Sequence, residues 1–286
     1  MRFPPCVLGA WILLLPALSA AGAGEGAVGA FDLGLLTPAA LSAERERWVV
    51  LDGRSRRAYE AGHIPGARPF SWEDHTGTDP SGVPYRMWPP GRMAGALARV
   101  GIGPDTPVAA YGDAGRSWGG EAWICWVLAY LGHRGPIRLL AGGIQAWRRA
   151  GLPLERGPAP PPRPGPGYTV ALRPDVLADR AAAARAAREG RLVDVRSTWE
   201  WWTGRIPGAV HVPWTDFREG DPPVPISAGR FRAVLARVGV PADGPVVFYC
   251  AGGVRSAWAW LAAVLAGRAG ARNYEGGMAE WRQAAR

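Results

Sequence analysis

At 286 residues, 48% of them hydrophobic, the chain is long enough for two domains of ordinary size, each with its own core. Its formal net charge of +9 comes from 33 basic residues, every one an arginine, against 24 acidic ones. The arginines are spread along the chain and form no stripe, which argues against a nucleic-acid-binding surface while leaving a general attraction for small anions.

The N-terminus reads Met1-Arg2, an apolar run from Val7 to Ala20 and small residues from Ser19 to Gly24. This is the pattern of an export signal, assigned to residues 1–23, and the alternative is an uncleaved anchor. The run is short beside the roughly 20 apolar residues of a membrane span. The mature chain is therefore expected to be periplasmic or secreted, with no stable membrane insertion after cleavage.

A first domain is expected over residues 30–154. Trp48-Val49-Val50-Leu51 reads as a buried strand and leads into Asp52-Gly53-Arg54-Ser55, then Gly62-His63-Ile64-Pro65-Gly66-Ala67. Further on, Ala122-Trp123-Ile124-Cys125-Trp126-Val127-Leu128 reads as a buried helix, in which Cys125 is a small hydrophobe. Cys6 lies in the signal, so Cys125 and Cys250 are the thiols of the mature chain. Their settings are too different to suggest a disulfide. Residues 155–167 include Gly157-Pro158-Ala159-Pro160-Pro161-Pro162-Arg163-Pro164-Gly165-Pro166-Gly167, an extended and semi-rigid linker.

Residues 168–286 repeat the first domain. Val193-Asp194-Val195-Arg196-Ser197 answers Leu51 to Ser55, Gly204-Arg205-Ile206-Pro207-Gly208-Ala209 answers Gly62 to Ala67, and Trp214 answers Trp72. The offset is constant, 194 following 52 and 214 following 72. Ala236 to Val240 matches Ala98 to Ile102, and Gly276-Gly277 with Trp281 matches Gly142-Gly143 with Trp147. So many ordered matches mark a tandem duplication. Arg191 to Val195 and Pro245 to Tyr249 read as strands, and Arg230 to Val238 and Ser256 to Ala266 as helices. Strands alternating with helices imply parallel sheets, and such sheets bind ligands beyond the carboxyl ends of their strands.

Cys250 falls at that kind of position, at the end of Val246-Val247-Phe248-Tyr249 and at the head of Ala251-Gly252-Gly253-Val254-Arg255-Ser256. Glycines let backbone amides turn inward, a helix N-terminus adds partial positive charge, and Arg255 adds a full one. Together they are expected to favour a thiolate at Cys250 and to seat an anion beside it. A buried structural cysteine at a strand end would have no use for these neighbours. Aligning Tyr111 with Tyr249 puts Gly112 opposite Cys250; a one-residue slide puts Asp113 there. Neither is a thiol, so the first domain is read as an inactive copy that shapes the cleft. It also spends four more residues on this stretch, thirty from Gly112 to Gly142 against twenty-six from Cys250 to Gly276.

The duplication, the Asp-x-Arg at a strand end, the Gly-[His/Arg]-Ile-Pro-Gly-Ala stretch and the cysteine-centred loop resemble the tandem-domain rhodanese family of thiosulfate and 3-mercaptopyruvate sulfurtransferases. The resemblance covers residues 30–286. It implies an α/β fold of two tandem rhodanese-like domains, each a parallel sheet covered by helices on both faces, with the second domain catalytic. It also implies transfer of a sulfane sulfur through a Cys250 persulfide, from a small anionic donor to cyanide or a thiol, possible acceptors including a thioredoxin-like protein. Residues 251–256 cradle the donor in this reading, Arg255 steers its charge, and neither cofactor nor metal is needed.

Two rival readings are a non-enzymatic sulfur carrier or binding module, and a phosphatase on the same fold. The phosphatase loop is Cys-x5-Arg, whereas four residues separate Cys250 from Arg255 here. Asp52 with Arg54 and Asp194 with Arg196 are expected to be structural ion pairs. His63 becomes Arg205 in the second domain, which speaks for a structural position. Most tryptophans are expected in the core, with Trp214 and Trp258 assigned to the cleft wall.

Overall fold

The computed structural model describes residues 31–113, 115–161 and 164–284. The apolar segment read as an export signal lies outside the described residues.

Two parallel sheets carry the fold. In the first, strands run in the order Leu33–Leu36, Ile137–Leu140, Val108–Tyr111, Val49–Asp52 and Arg68–Pro69. In the second, the order is Ala271–Tyr274, Val246–Tyr249, Leu192–Asp194 and Val210–His211. The last four positions of the first sheet correspond to the four of the second. At the edge where the first sheet has Leu33–Leu36, the second has a single parallel bridge from Leu177 to Asn273. Two short antiparallel ribbons, Thr76–Gly77 with Arg86–Met87 and Arg218–Glu219 with Val224–Pro225, occupy equivalent places in the two halves.

The period of two in the strands sorts their side chains onto opposite faces. Leu51 and Ala110 of the first sheet and Val193, Val246 and Phe248 of the second contribute to one core common to both halves. Val50, Ala109 and Tyr111 face a separate outer layer with Leu41, Tyr59 and Trp147. Leu192, Val247 and Tyr249 face another, with Ala183, Ala186 and Met278. Both faces of each sheet are thus covered, as the unbroken apolar strands require.

Between the sheets lie two helices, Gly120–Tyr130 and Val254–Leu265, packed on each other. A helix that is apolar all round belongs in an interior. Here every residue from Gly120 to Ala129 and from Val254 to Ala263 is buried. Cys125 sits in the first of these helices, fully buried, and burial pushes its thiol up. The indoles find backbone acceptors: Trp126 Nε1 donates to Val176 O at 3.1 Å, Trp258 Nε1 to Phe217 O at 3.0 Å and Trp260 Nε1 to Ala271 O at 3.1 Å.

The structure moves two expectations. The helix after Cys250 begins at Val254, two residues ahead of the sequence reading, because Gly253 takes a left-handed turn at φ 83° and closes the loop sooner. Trp214 and Trp258 are core residues, 6% and 1% exposed, packed edge to face at 6.1 Å. They do not line the cleft.

Candidate active site

The two Asp-x-Arg segments fold identically and set the strand ends from which the site is built. Arg196 Nε donates to Asp194 Oδ1 at 3.0 Å and Nη2 to Oδ2 at 2.6 Å, and Nη2 also reaches Gly204 O at 2.7 Å. Arg54 repeats this on Asp52 and Gly62. Each carboxylate also accepts a tyrosine hydroxyl from the next strand, Tyr249 on Asp194 at 2.7 Å and Tyr111 on Asp52 at 2.6 Å. These buried networks are fully paired and structural. His63 is structural too: it stacks on Tyr59 at 3.8 Å, and its Nδ1 lies 2.9 Å from Tyr59 O.

Backbone bonds fix the correspondence between the halves. Met278 N donates to Cys250 O at 2.9 Å, and Ile144 N donates to Gly112 O at 3.0 Å. Gly112, not Asp113, therefore stands in the place of Cys250. The Glu121 carboxylate fills the space a side chain at 112 would occupy, with Oε2 only 2.0 Å from an ideal Cβ. Ser117 Oγ donates to that same oxygen at 2.7 Å. In the first half a buried carboxylate occupies the space that corresponds to the thiol of the second.

In the second half the position is a thiol. Cys250 is 2% exposed yet lines a cavity of about 340 Å³ with Ala251, Gly252, Val254, Arg255, Glu200, Trp72, Tyr85 and Trp118. Four of the six loop residues singled out from sequence thus meet the cavity. Gly253 and Ser256 lie behind it. Gly253 supplies the left-handed residue that starts the helix, and its carbonyl accepts from Asn273 Nδ2 at 3.0 Å. The Ser256 hydroxyl is fully buried, 3.5 Å from Cys250 Sγ and 2.6 Å from Asn273 Oδ1. A hydroxyl has one proton, and the shorter contact holds it more strongly. The Ser256 hydroxyl accordingly packs behind the thiol and is engaged by Asn273. Among the described residues, no backbone or side-chain acceptor takes up the amides of residues 251–256, which belong to the loop and the first turn of the helix.

Arg255 differs from the free charge expected of it. Its Nη1 and Nη2 fork onto Glu200 Oε2 and Oε1 at 2.6 and 2.8 Å. Burial works against the guanidinium's charge, but the Glu200 hydrogen bonds and the field of Cys250 outweigh burial and raise it above its ordinary value. Glu200 is itself held by a capping box, accepting from Ser197 Oγ at 2.8 Å and Ser197 N at 3.1 Å. Burial pushes its carboxyl up, yet Arg255 and Ser197 bring it down to about 2. The pair is charged at any working pH, and its two charges offset each other beside the thiol.

The first half supplies the aromatic wall. Its loop runs seven residues from Gly112 to the left-handed Gly119, where the second half needs three from Cys250 to Gly253. The longer loop carries Trp118, 51% exposed, with the Arg255 guanidinium 5.6 Å from its ring centroid. Tyr85, 46% exposed, precedes the Arg86–Met87 ribbon and packs against Gly252, where an added Cβ would come within 2.4 Å of Tyr85 Cβ. Trp118 and Tyr85 are the two non-glycine residues with positive φ among the described residues, at 56° and 65°. Such backbone strain costs about 1–3 kcal/mol per residue and gathers at functional sites. Sequence reading missed Tyr85, Trp118 and Glu200, and gave Trp72 only as the repeat partner of Trp214. The four-residue surplus in the first half and the Ser197-x-x-Glu200 capping pattern were the signals available.

The Tyr85 segment is tied to the second half by Glu275, which accepts Met87 N at 2.6 Å and Arg86 Nη1 at 3.0 Å. Glu275 is 4% exposed; burial, chiefly, raises its carboxyl to about 7, with Arg86 opposing.

The family model for the Rhodanese-like domain matches residues 37–150 and again 174–284. The Sulfur carrier protein TtuD of Thermus thermophilus is 33% identical over 246 residues, spanning 78% of this chain and 83% of that protein. The 3-mercaptopyruvate sulfurtransferase of Escherichia coli K12 is 28% identical over 247 residues, 80% and 84% of the two chains. Among solved structures, the crystal structure of SseA from Escherichia coli, a 3-mercaptopyruvate sulfotransferase, superposes with a TM-score of 0.75 at 24% identity, covering 85% and 98% of the chains.

Proposed function

The chain belongs to the rhodanese family as a tandem of two rhodanese domains, and from that premise we propose that it is a sulfurtransferase working through a persulfide on Cys250. In the proposed cycle the Cys250 thiolate attacks the outer sulfur of thiosulfate. The sulfur–sulfur bond of the donor breaks, sulfite leaves with the bonding pair, and the transferred sulfur stays on Sγ. With 3-mercaptopyruvate the carbon–sulfur bond breaks and pyruvate leaves after its methylene takes a proton. A nucleophile, cyanide or a thiol, then attacks the outer sulfur and returns the Cys250 thiolate. A thioredoxin-like protein is one acceptor that this chemistry allows. The loop amides of 251–256 favour the anions that appear in both steps.

One observation carries this reading. Two equivalent backbone positions have diverged: Gly112 is filled by Glu121, whereas Cys250 keeps its thiol on an open cavity. Steady-state thiocyanate formation from cyanide with each donor tests it. Turnover is expected with at least one of the two and is abolished in Cys250→Ser; equal rates in the two proteins would refute the assignment. The similarity to a sulfur carrier protein supports a second reading, in which sulfur is loaded once and handed to a partner. Many turnovers per protein with a small acceptor would reject it.

We further infer export, from Met1-Arg2 and the apolar run Val7 to Ala20. Recovery of a shortened chain from the periplasm or medium is expected, and a full-length cytoplasmic chain would contradict it.

A further inference from the structure

The cavity over Cys250 is larger than either donor requires, thiosulfate having five heavy atoms and 3-mercaptopyruvate seven. At about 340 Å³ it holds the equivalent of roughly ten waters at ~30 Å³ each. Its charged residues, Arg255 and Glu200, are locked on each other, so the space beyond the thiol offers no unpaired charge to bind an ionic group. Beyond Ala251, Gly252 and Val254 of the loop, its remaining walls are aromatic. Trp72 and Tyr85 meet edge to face at 6.3 Å, and Trp118 forms a further wall, its ring beside the Arg255 guanidinium.

Trp72 packs in part against the common core, but the other two rings are not leftovers of core packing. Trp118 and Tyr85 are about half exposed, and both are held there on strained backbone. Gly252 is required for Tyr85 to lie where it does. Strained, exposed aromatic residues converging on one reactive sulfur are best explained by something flat that they bind.

We propose that the acceptor for the Cys250 persulfide is a small thiol built on an uncharged, flat aromatic ring, gripped by Trp72, Tyr85 and Trp118. This rests on the persulfide reading above. The step is balanced without another reagent. The acceptor thiolate attacks the outer sulfur of Cys250–S–SH and forms an acceptor S–S bond. The Sγ–S bond breaks, Cys250 leaves as thiolate with the electron pair, and the proton stays on the transferred sulfur.

The test loads the full mature protein with thiosulfate, removes the donor, and follows loss of the persulfide with benzyl mercaptan or cyclohexylmethanethiol. The two thiols have the same number of heavy atoms and differ in ring aromaticity. After correction for thiolate fraction, benzyl mercaptan is expected to react about tenfold faster, a ratio worth about 1.4 kcal/mol, within reach of one or two ring–ring pairs. Trp118→Leu and Tyr85→Leu should each pull that ratio toward one. A ratio of one in the unaltered protein overturns the proposal and leaves the persulfide reading standing. A high ratio that survives both substitutions also overturns it. Should thiosulfate fail to load, 3-mercaptopyruvate replaces it, and failure to load sulfur from either donor defeats both readings together.

Discussion

Glu275→Gln should change how stability depends on pH, and by a calculable amount. Glu275 is buried at the seam between the halves and accepts the Met87 amide, with Arg86 as its ion-pair partner. Its carboxyl stands at about 7 in the folded chain, against an ordinary value of 4.5. A carboxyl raised on folding favours the protonated form there. Its contribution is therefore fully present below about 4.5 and lost as pH rises through about 7. At about 1.4 kcal/mol for each tenfold change the whole effect is about 3.5 kcal/mol, and roughly 2.5 kcal/mol of it falls between pH 5 and pH 8. Glutamine keeps an acceptor for Met87 N and never ionises. Urea unfolding followed by tryptophan fluorescence, at pH 5 and pH 8, gives the comparison. The two proteins should be nearly equal at pH 5, and the glutamine variant the more stable by about 2–3 kcal/mol at pH 8. Parallel curves would show that Glu275 is ionised throughout and that the burial argument is wrong.

Other consequences follow from the site. Gly252→Ala places a methyl 2.4 Å from Tyr85 Cβ, so it should displace that segment and lower the unfolding free energy by about 1–3 kcal/mol; an unchanged melting curve would contradict the packing. Ser256→Ala strips Asn273 Oδ1 of its donor in a fully buried setting, and a loss of about 1–3 kcal/mol by chemical denaturation is expected. Glu200→Gln uncovers the charge of Arg255. The rate of loading by thiosulfate should become at least about threefold more sensitive to salt between low and high ionic strength, and an unchanged salt slope would mean that the pair does not neutralise the site.

Much of this architecture could be read from the letters because duplication writes each element twice. Asp52 with Arg54 and Asp194 with Arg196 point to the same strand end, and the fold places them in superposable networks. Cys250 was legible because a glycine loop and a helix start follow it within a few residues, a purely local pattern. Part of what stayed hidden came from across the seam. Tyr85 and Trp118 reach the cavity from the other domain, and no local periodicity reports a long-range approach. The charge of Arg255 was legible, but its cancellation by Glu200, 55 residues earlier in sequence, was not. Trp214 and Trp258 show the same limit: an aromatic side chain on a helical segment packs inward or outward according to its long-range partners, and here both sit in the common core.

Intact-mass measurement after brief exposure to thiosulfate or 3-mercaptopyruvate reads the sulfur on position 250 directly. The unaltered protein is expected to gain the mass of one sulfur atom, localised to the peptide bearing Cys250 and discharged by cyanide, while Cys250→Ser gains none. A chain that stays at its original mass with both donors, or a serine variant that takes up sulfur equally, would contradict the central claim.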